Sequence, residues 1–113
     1  MAPFVRVDCV TINSPDPEGL ARFWAHLVGG VPRDAGNGFV LVDPGEGHVR
    51  LLFQRTGAVP DRQDRVHLDC QVADREDAIA RVEELGGRLV ERRSDSNGAW
   101  AVMTDPEGNT FCL

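Results

Sequence analysis

The chain has 113 residues, 42% of them hydrophobic and 27% charged, with a formal net charge of −6, the balance and length of one ordinary globular domain. No apolar run approaches the roughly 20 residues of a membrane span, and Met1-Ala2-Pro3-Phe4 lacks the basic-then-apolar order of a secretory signal. The acidic balance argues against nucleic acid, which wants a basic track with aromatic platforms, and it biases the chain toward neutral or cationic small ligands.

In chain order, Phe4 to Ile12 is β-branched and alternating, which predicts a first strand. Val5, Val7 and Cys9 share one side of it, and Arg6, Asp8, Val10 and Ile12 the other. Asn13-Ser14-Pro15 breaks the strand. A helix follows, with Asp16 placed to cap free N–H groups and Pro17 suited to the first helical position. Leu20, Phe23, Trp24, Leu27 and Val28 fall at the spacings of one buried stripe, and Gly29-Gly30 ends it. Pro32 to Gly38 is turn-rich; Phe39 to Val42 predicts a short strand, Asp43-Pro44-Gly45-Glu46-Gly47 a turn, and Val49 to Arg55 another strand. Residues 56–65 are polar, contain Gly and Pro, and form a connector.

The order then starts again. Val66 to Val72 predicts a strand with Val66, Leu68, Cys70 and Val72 on its apolar side and His67, Asp69 and Gln71 on a polar front. Asp74 caps a second helix whose stripe is Ala78, Ile79, Val82 and Leu85, and Gly86-Gly87 stops it. Strands are predicted at Arg88 to Glu91, Ala99 to Thr104 and Thr110 to Leu113, with turns at Asn97-Gly98 and at Asp105-Pro106-Glu107-Gly108-Asn109. An offset of 59 residues relates Leu20 to Ile79 and sets Asp8 opposite His67, and an offset of 60 lays residues 37–53 over 97–113, pairing Leu52 with Cys112. The chain reads as an internal duplication. Cys9, Cys70 and Cys112 are widely spaced in apolar contexts, which points to reduced thiols in a reducing, cytoplasmic compartment.

Two short β-α-β-β-β units with Asp105-Pro106-Glu107-Gly108-Asn109 before the last strand resemble the vicinal oxygen chelate superfamily. That group holds glyoxalase I, bleomycin-resistance proteins, fosfomycin-resistance enzymes and extradiol dioxygenases. Asp16-Pro17-Glu18, Ala21-Arg22-Phe23-Trp24 and Arg65-Val66-His67-Leu68-Asp69 are similar to phrases of its small glyoxalase-like domains. The resemblance implies an α+β fold in one domain, residues 1–113. Its modules would be 1–55 and 66–113, joined by the connector 56–65, with the sheets as a cup and the helices outside. It also implies a homodimer, which would cover open sheet edges.

Metal-binding relatives carry four ligands on the first and last strands of each half. Transferred by position, these are Asp8 or Val10, Leu52, His67 and Cys112. Leu52 offers no donor, and Cys112 stands where a glutamate is usual. A hard divalent ion wants imidazole and carboxylate together, so the resemblance implies a degenerate site without a metal cofactor. Any divalent ion that bound would sit at Asp8 and His67. Without a Lewis acid, neither glyoxalase nor dioxygenase activity is inherited by name.

The expected ligand-binding set is Asp8, Leu52, Gln54, His67, Asp69, Trp100 and Cys112, with Trp100 either a stacking plate or core filling. Three functions stand open: a metal-independent small-molecule binding protein, which is preferred; a divalent-metal-dependent lyase, isomerase or dioxygenase using Asp8 and His67; and a non-catalytic interaction module.

Overall fold

A computed structural model describes residues 2–57 and 65–113, so most of the connector expected at 56–65 lies outside the described residues. The chain divides into two compact units, Cys9–Val66 and the residues up to Asp8 together with His67–Leu113. Each is α+β with the β-α-β-β-β order that the family resemblance implies.

In the first unit, β1 (Arg6–Ser14), which belongs to it from Cys9 onward, leads to α1 (Pro17–Val28), then β2 (Arg33–Gly36), β3 (Phe39–Val42) and β4 (Arg50–Arg55). The strands lie in the order β2-β3-β4-β1. β1 and β4 are parallel, and β3 runs antiparallel to both β2 and β4. Asp16 accepts a hydrogen bond from the Gly19 N–H at 3.1 Å and starts α1. Ala21 buries against Val40, Val42 and Phe53, with Ile12, Leu20, Trp24 and Leu51 packed around them.

Two expectations change here. The turn-rich passage before Phe39 contains β2, whose hairpin with β3 closes through Asn37 and Gly38 at φ 53° and 82°, the left-handed pair that a two-residue hairpin turn requires. The helical stripe is also narrower than its spacing predicts. Leu20 and Trp24 pack inward, but Phe23 and Leu27 are 55% and 59% exposed, because contact with a small sheet covers one row of the helix. Phe23 instead meets the edge of Trp24, with ring centroids 5.7 Å apart.

The second unit repeats the plan with β5 (Val66–Gln71), α2 (Arg75–Glu84), β6 (Arg88–Asp95), β7 (Gly98–Thr104) and β8 (Thr110–Cys112). The strand order is β5-β8-β7-β6. Asp74 caps α2 by accepting from the Asp77 N–H at 3.0 Å. Ala78 and Ile79 bury against Ala101, Met103 and Leu113, and Phe4, Val5, Cys70, Val72, Val82, Leu89 and Phe111 pack around them. Leu85, expected in the stripe, is exposed. Arg75 donates to the backbone carbonyls of Leu113 at 3.2 Å and Ala99 at 2.6 Å, tying α2 to the end of the sheet. β6 extends to Asp95, four residues past its expected end at Glu91.

The Gly-Gly stops do more than end helices. A Cβ on Gly30 would lie 2.5 Å from the Asp43 carbonyl oxygen, and one on Gly87 would lie 2.9 Å from that of Thr104. Each second glycine is the place where a helix exit passes close to the strand end before an Asp-Pro turn. In the second of these turns Asp105 accepts from the backbone N–H groups of Glu107 and Asn109 at 2.9 Å and from the Asn109 side chain at 2.8 Å. The Asn109 amide, more than the backbone donors, holds the Asp105 carboxyl below its ordinary value.

Candidate functional site

The site follows from strand alternation in the second unit. Cys70 packs into the core beneath α2, so its neighbours His67, Asp69 and Gln71 occupy the face of β5 that the helix does not cover. Register extends this face across the sheet. Asp69 pairs with Cys112, Cys112 with Val102, and Val102 with Glu91. One step along β7 on the same face, Trp100 pairs with Arg93 of β6.

Three donors converge. One ligand-type atom each from His67, Asp69 and Cys112 lies within 4.8 Å of the others. His67 Nε2 is 3.5 Å from Asp69 Oδ1, an ion pair when the imidazole is protonated. Burial, and then the charge and hydrogen bond of Asp69, push the Cys112 thiol up to about 12. Cys112 is therefore a neutral S–H that donates to the Asp69 carboxylate, not a nucleophilic thiolate. The Arg93 charge acts on the same thiol in the opposite sense, while the Arg93 Nε donates to Glu91 at 2.6 Å.

The corresponding row of the first unit is chemically different. Thr11 pairs with Leu52, Leu52 with Leu41, and Leu41 with Arg33, so two leucines occupy its centre. Leu52 and Gln54 belong to this row and the next one, where Asn13 pairs with Gln54. The helix caps give the registration of the halves. Asp16 and Asp74 are 58 residues apart, which makes Cys9 the counterpart of His67 and Thr11 that of Asp69, in agreement with the pairs Thr11–Leu52 and Asp69–Cys112.

Asp8 falls on the other side of β1 from Cys9 and Thr11, together with Ile12 of the first core. Its negative charge bears on the Cys70 thiol, where burial is the larger cause of an upward shift. Of the expected site residues, the structure thus brings His67, Asp69 and Cys112 together and sets Trp100 on the same face. Leu52 and Gln54 lie in the other unit, and Asp8 is not in the cluster. Arg93 is missed because the run Arg92-Arg93-Ser94-Asp95 reads as loop, and Glu91 because it ends the predicted strand with no partner across from it. The signal that finds the register is the hairpin turn, which falls at Ser96-Asn97, one residue before the expected Asn97-Gly98, and leaves Asp95 opposite Gly98.

Nitrogen, oxygen and sulfur donors in one cluster suit a borderline ion such as Zn²⁺ and not a hard ion that prefers an oxygen-rich shell. His67, Asp69 and Cys112 would be its ligands, and Cys112 would first have to lose its proton. In the first unit, a groove of about 600 Å³ runs between α1 and the β2–β3 hairpin, lined by Glu18, Arg22, Asp34 and Phe39 among others. Its Glu18 carboxylate is already gripped by Arg55 at 2.5 Å.

A family model described as a glyoxalase-like domain matches residues 9–113. Among curated proteins no match is found. Solved structures with the same fold include an NAD-dependent benzaldehyde dehydrogenase from Legionella pneumophila, with TM-score 0.66, 18% identity and coverage of 92% of this chain and 94% of that one. A glyoxalase/bleomycin resistance protein/dioxygenase superfamily member from Vibrio splendidus gives TM-score 0.63 and 20% identity over 96% of both chains. A hypothetical protein from Bacillus halodurans gives TM-score 0.64 and 18% identity over 97% and 93%. At these identities the likeness is one of fold, and the chemistry has to come from this chain's own residues.

Proposed function

Because the chain belongs to the glyoxalase-like domain family, we propose that it binds a small molecule on the helix-free face of its second half, over His67, Asp69, Cys112 and Trp100, without a bound metal. The observation that carries this reading is geometric: His67, Asp69 and Cys112 converge on one uncovered face, and Trp100 lies one step along β7 on the same face. The Cys112 thiol, donating to Asp69, gives that carboxylate a partner within the protein. A face with an imidazole, an indole and a satisfied carboxylate recognises a ligand by hydrogen bonds and stacking. Pairing into a homodimer and a cytoplasmic location belong to the same proposal; light scattering that returns a monomer mass removes the first.

A screen of aromatic, cationic, anionic and antibiotic-like compounds by thermal shift and NMR tests the reading. The expected result is a compound that raises the melting temperature and shifts the amides of His67, Asp69 and Trp100, with the effect reduced in His67→Ala. Indifference to all of them defeats it.

The convergence of three donors within 4.8 Å supports a second reading, a metal-dependent lyase, isomerase or dioxygenase with the ion on His67, Asp69 and Cys112. Stoichiometric Zn²⁺, Ni²⁺, Mn²⁺ or Fe²⁺ in protein purified without chelators, abolished in His67→Ala, would establish the metal and displace the first reading. No uptake and no stabilisation by any of these ions eliminates the second.

A further inference from the structure

The face proposed above has an imbalance of donors and acceptors that its catalogue of residues does not make obvious. Its two carboxylates are both engaged from within. Asp69 accepts from Cys112 and lies beside His67, and Glu91 takes the Nε hydrogen bond and the ion pair of one terminal nitrogen of Arg93 on a single oxygen, Oε1. The donors are not used up. A guanidinium carries five N–H groups in a planar fork, and Arg93 directs only Nε and Nη2 to Glu91. Among the described residues, nothing accepts from the Trp100 indole N–H, and Asp69 is the sole charged partner of His67. Register places Arg93 and Trp100 directly opposite each other, one step from the row that contains Cys112. Arg93 shares its face with Glu91, to which its Nε donates at 2.6 Å, and that face is the one that carries Trp100 and Val102.

From this juxtaposition we infer that the ligand of this face carries an oxyanion, a carboxylate or phosphonate, received by Arg93, with its flat apolar body lying on Trp100. The inference rests on the binding face proposed above and adds the ligand class to it. It also reverses what the acidic net charge of the chain suggests. A spare guanidinium fork recognises an oxyanion by two parallel charge-assisted hydrogen bonds, while the indole supplies area for stacking. Glu91 has a dual part: it holds Arg93 in place and competes with the incoming anion for it. Arg93 and Trp100 are thus specificity-determining residues.

The test uses two probes of the same shape and different charge, 2-naphthoate and 2-naphthamide, titrated into the ¹⁵N-labelled full chain. Expected is saturable binding of the naphthoate that shifts the amides of Arg93, Val102 and Cys112 and the indole N–H of Trp100, with the amide binding about tenfold more weakly. Arg93→Gln should bring the naphthoate down to the level of the amide and leave the amide unchanged. Glu91→Gln, which frees the guanidinium, should tighten the naphthoate alone. Both positions are exposed on an edge strand, so the fold survives these changes. Equal binding of both probes at this face, or naphthoate binding that ignores Arg93→Gln, overturns the oxyanion inference and leaves the binding face standing. Shifts confined to residues elsewhere, or none with either probe, overturn the binding face and the inference together.

Discussion

At the scale of single residues, the site depends on where one proton sits. Cys112 keeps its proton because burial disfavours the thiolate and because Asp69 adds both a like charge and an acceptor. A thiol whose folded pKa is raised contributes stability that is complete below its ordinary 9.0 and is lost as the pH rises from there toward about 12. Asp69→Asn removes the charge and the strong acceptor but not the burial. It should therefore speed alkylation of Cys112 by iodoacetamide at pH 8 and flatten the alkaline loss of stability. Peptide mass mapping measures the first effect, and urea midpoints at pH 7 and 10 the second. Unchanged alkylation in Asp69→Asn would assign the whole shift to burial. Part of this was legible in the sequence. His67, Asp69 and Gln71 alternate with apolar residues, and their common face follows from that alone. Asp8 was aligned with His67 by the likeness of Leu20 to Ile79, one residue out of step with the helix caps. One residue of slip in a strand changes the face, which is why Cys9 and Thr11, not Asp8, occupy the corresponding row.

At the scale of elements, the helix–strand joints are the positions most sensitive to substitution. Gly30 has φ 87° and would bring a Cβ to 2.5 Å from the Asp43 carbonyl oxygen, and Gly87 faces Val82 and the Thr104 carbonyl. Gly29 also has a left-handed φ, 91°, but a Cβ there meets nothing within 4 Å. Gly30→Ala should therefore cost more than Gly29→Ala, by roughly 1–3 kcal/mol in urea unfolding, with Gly87→Ala comparable to Gly30→Ala. Equal losses at Gly29 and Gly30 would show that backbone conformation alone matters and the close approach does not. The glycine pairs were legible as helix stops because Gly-Gly is punctuation in any sequence. Their second role was not, since it depends on a carbonyl 13 residues away from Gly30 and 17 away from Gly87. The same limit hid the outer half of β6. Arg92-Arg93-Ser94-Asp95 has no apolar alternation, and it is a strand only because β7 offers it a hydrogen-bonding partner.

At the scale of the whole molecule, two similar units have diverged in what their uncovered faces carry. Each has its own core, with Phe53 fully buried in one and Met103 fully buried in the other. Phe53→Ala should cost about 3–5 kcal/mol and Met103→Ala about 2–5 kcal/mol, large fractions of the about 5–15 kcal/mol that domains of this size possess. Thermal unfolding of the two variants tests this, and a loss of under about 1 kcal/mol in either would show that its core repacks freely. The helix-side rows were kept in both halves. The opposite rows were not: Thr11-Leu52-Leu41 in the first became Asp69-Cys112-Val102 in the second. By itself the sequence determined both helices and their caps, every strand but β2, and the polar front of β5, because each follows from local periodicity or from a residue's own backbone preferences. Only the tertiary structure decided that Asp69 and not Asp8 joins His67 and Cys112, and that Arg93 stands opposite Trp100. Those meetings depend on strand register, which is set by hydrogen bonds between segments far apart in the chain.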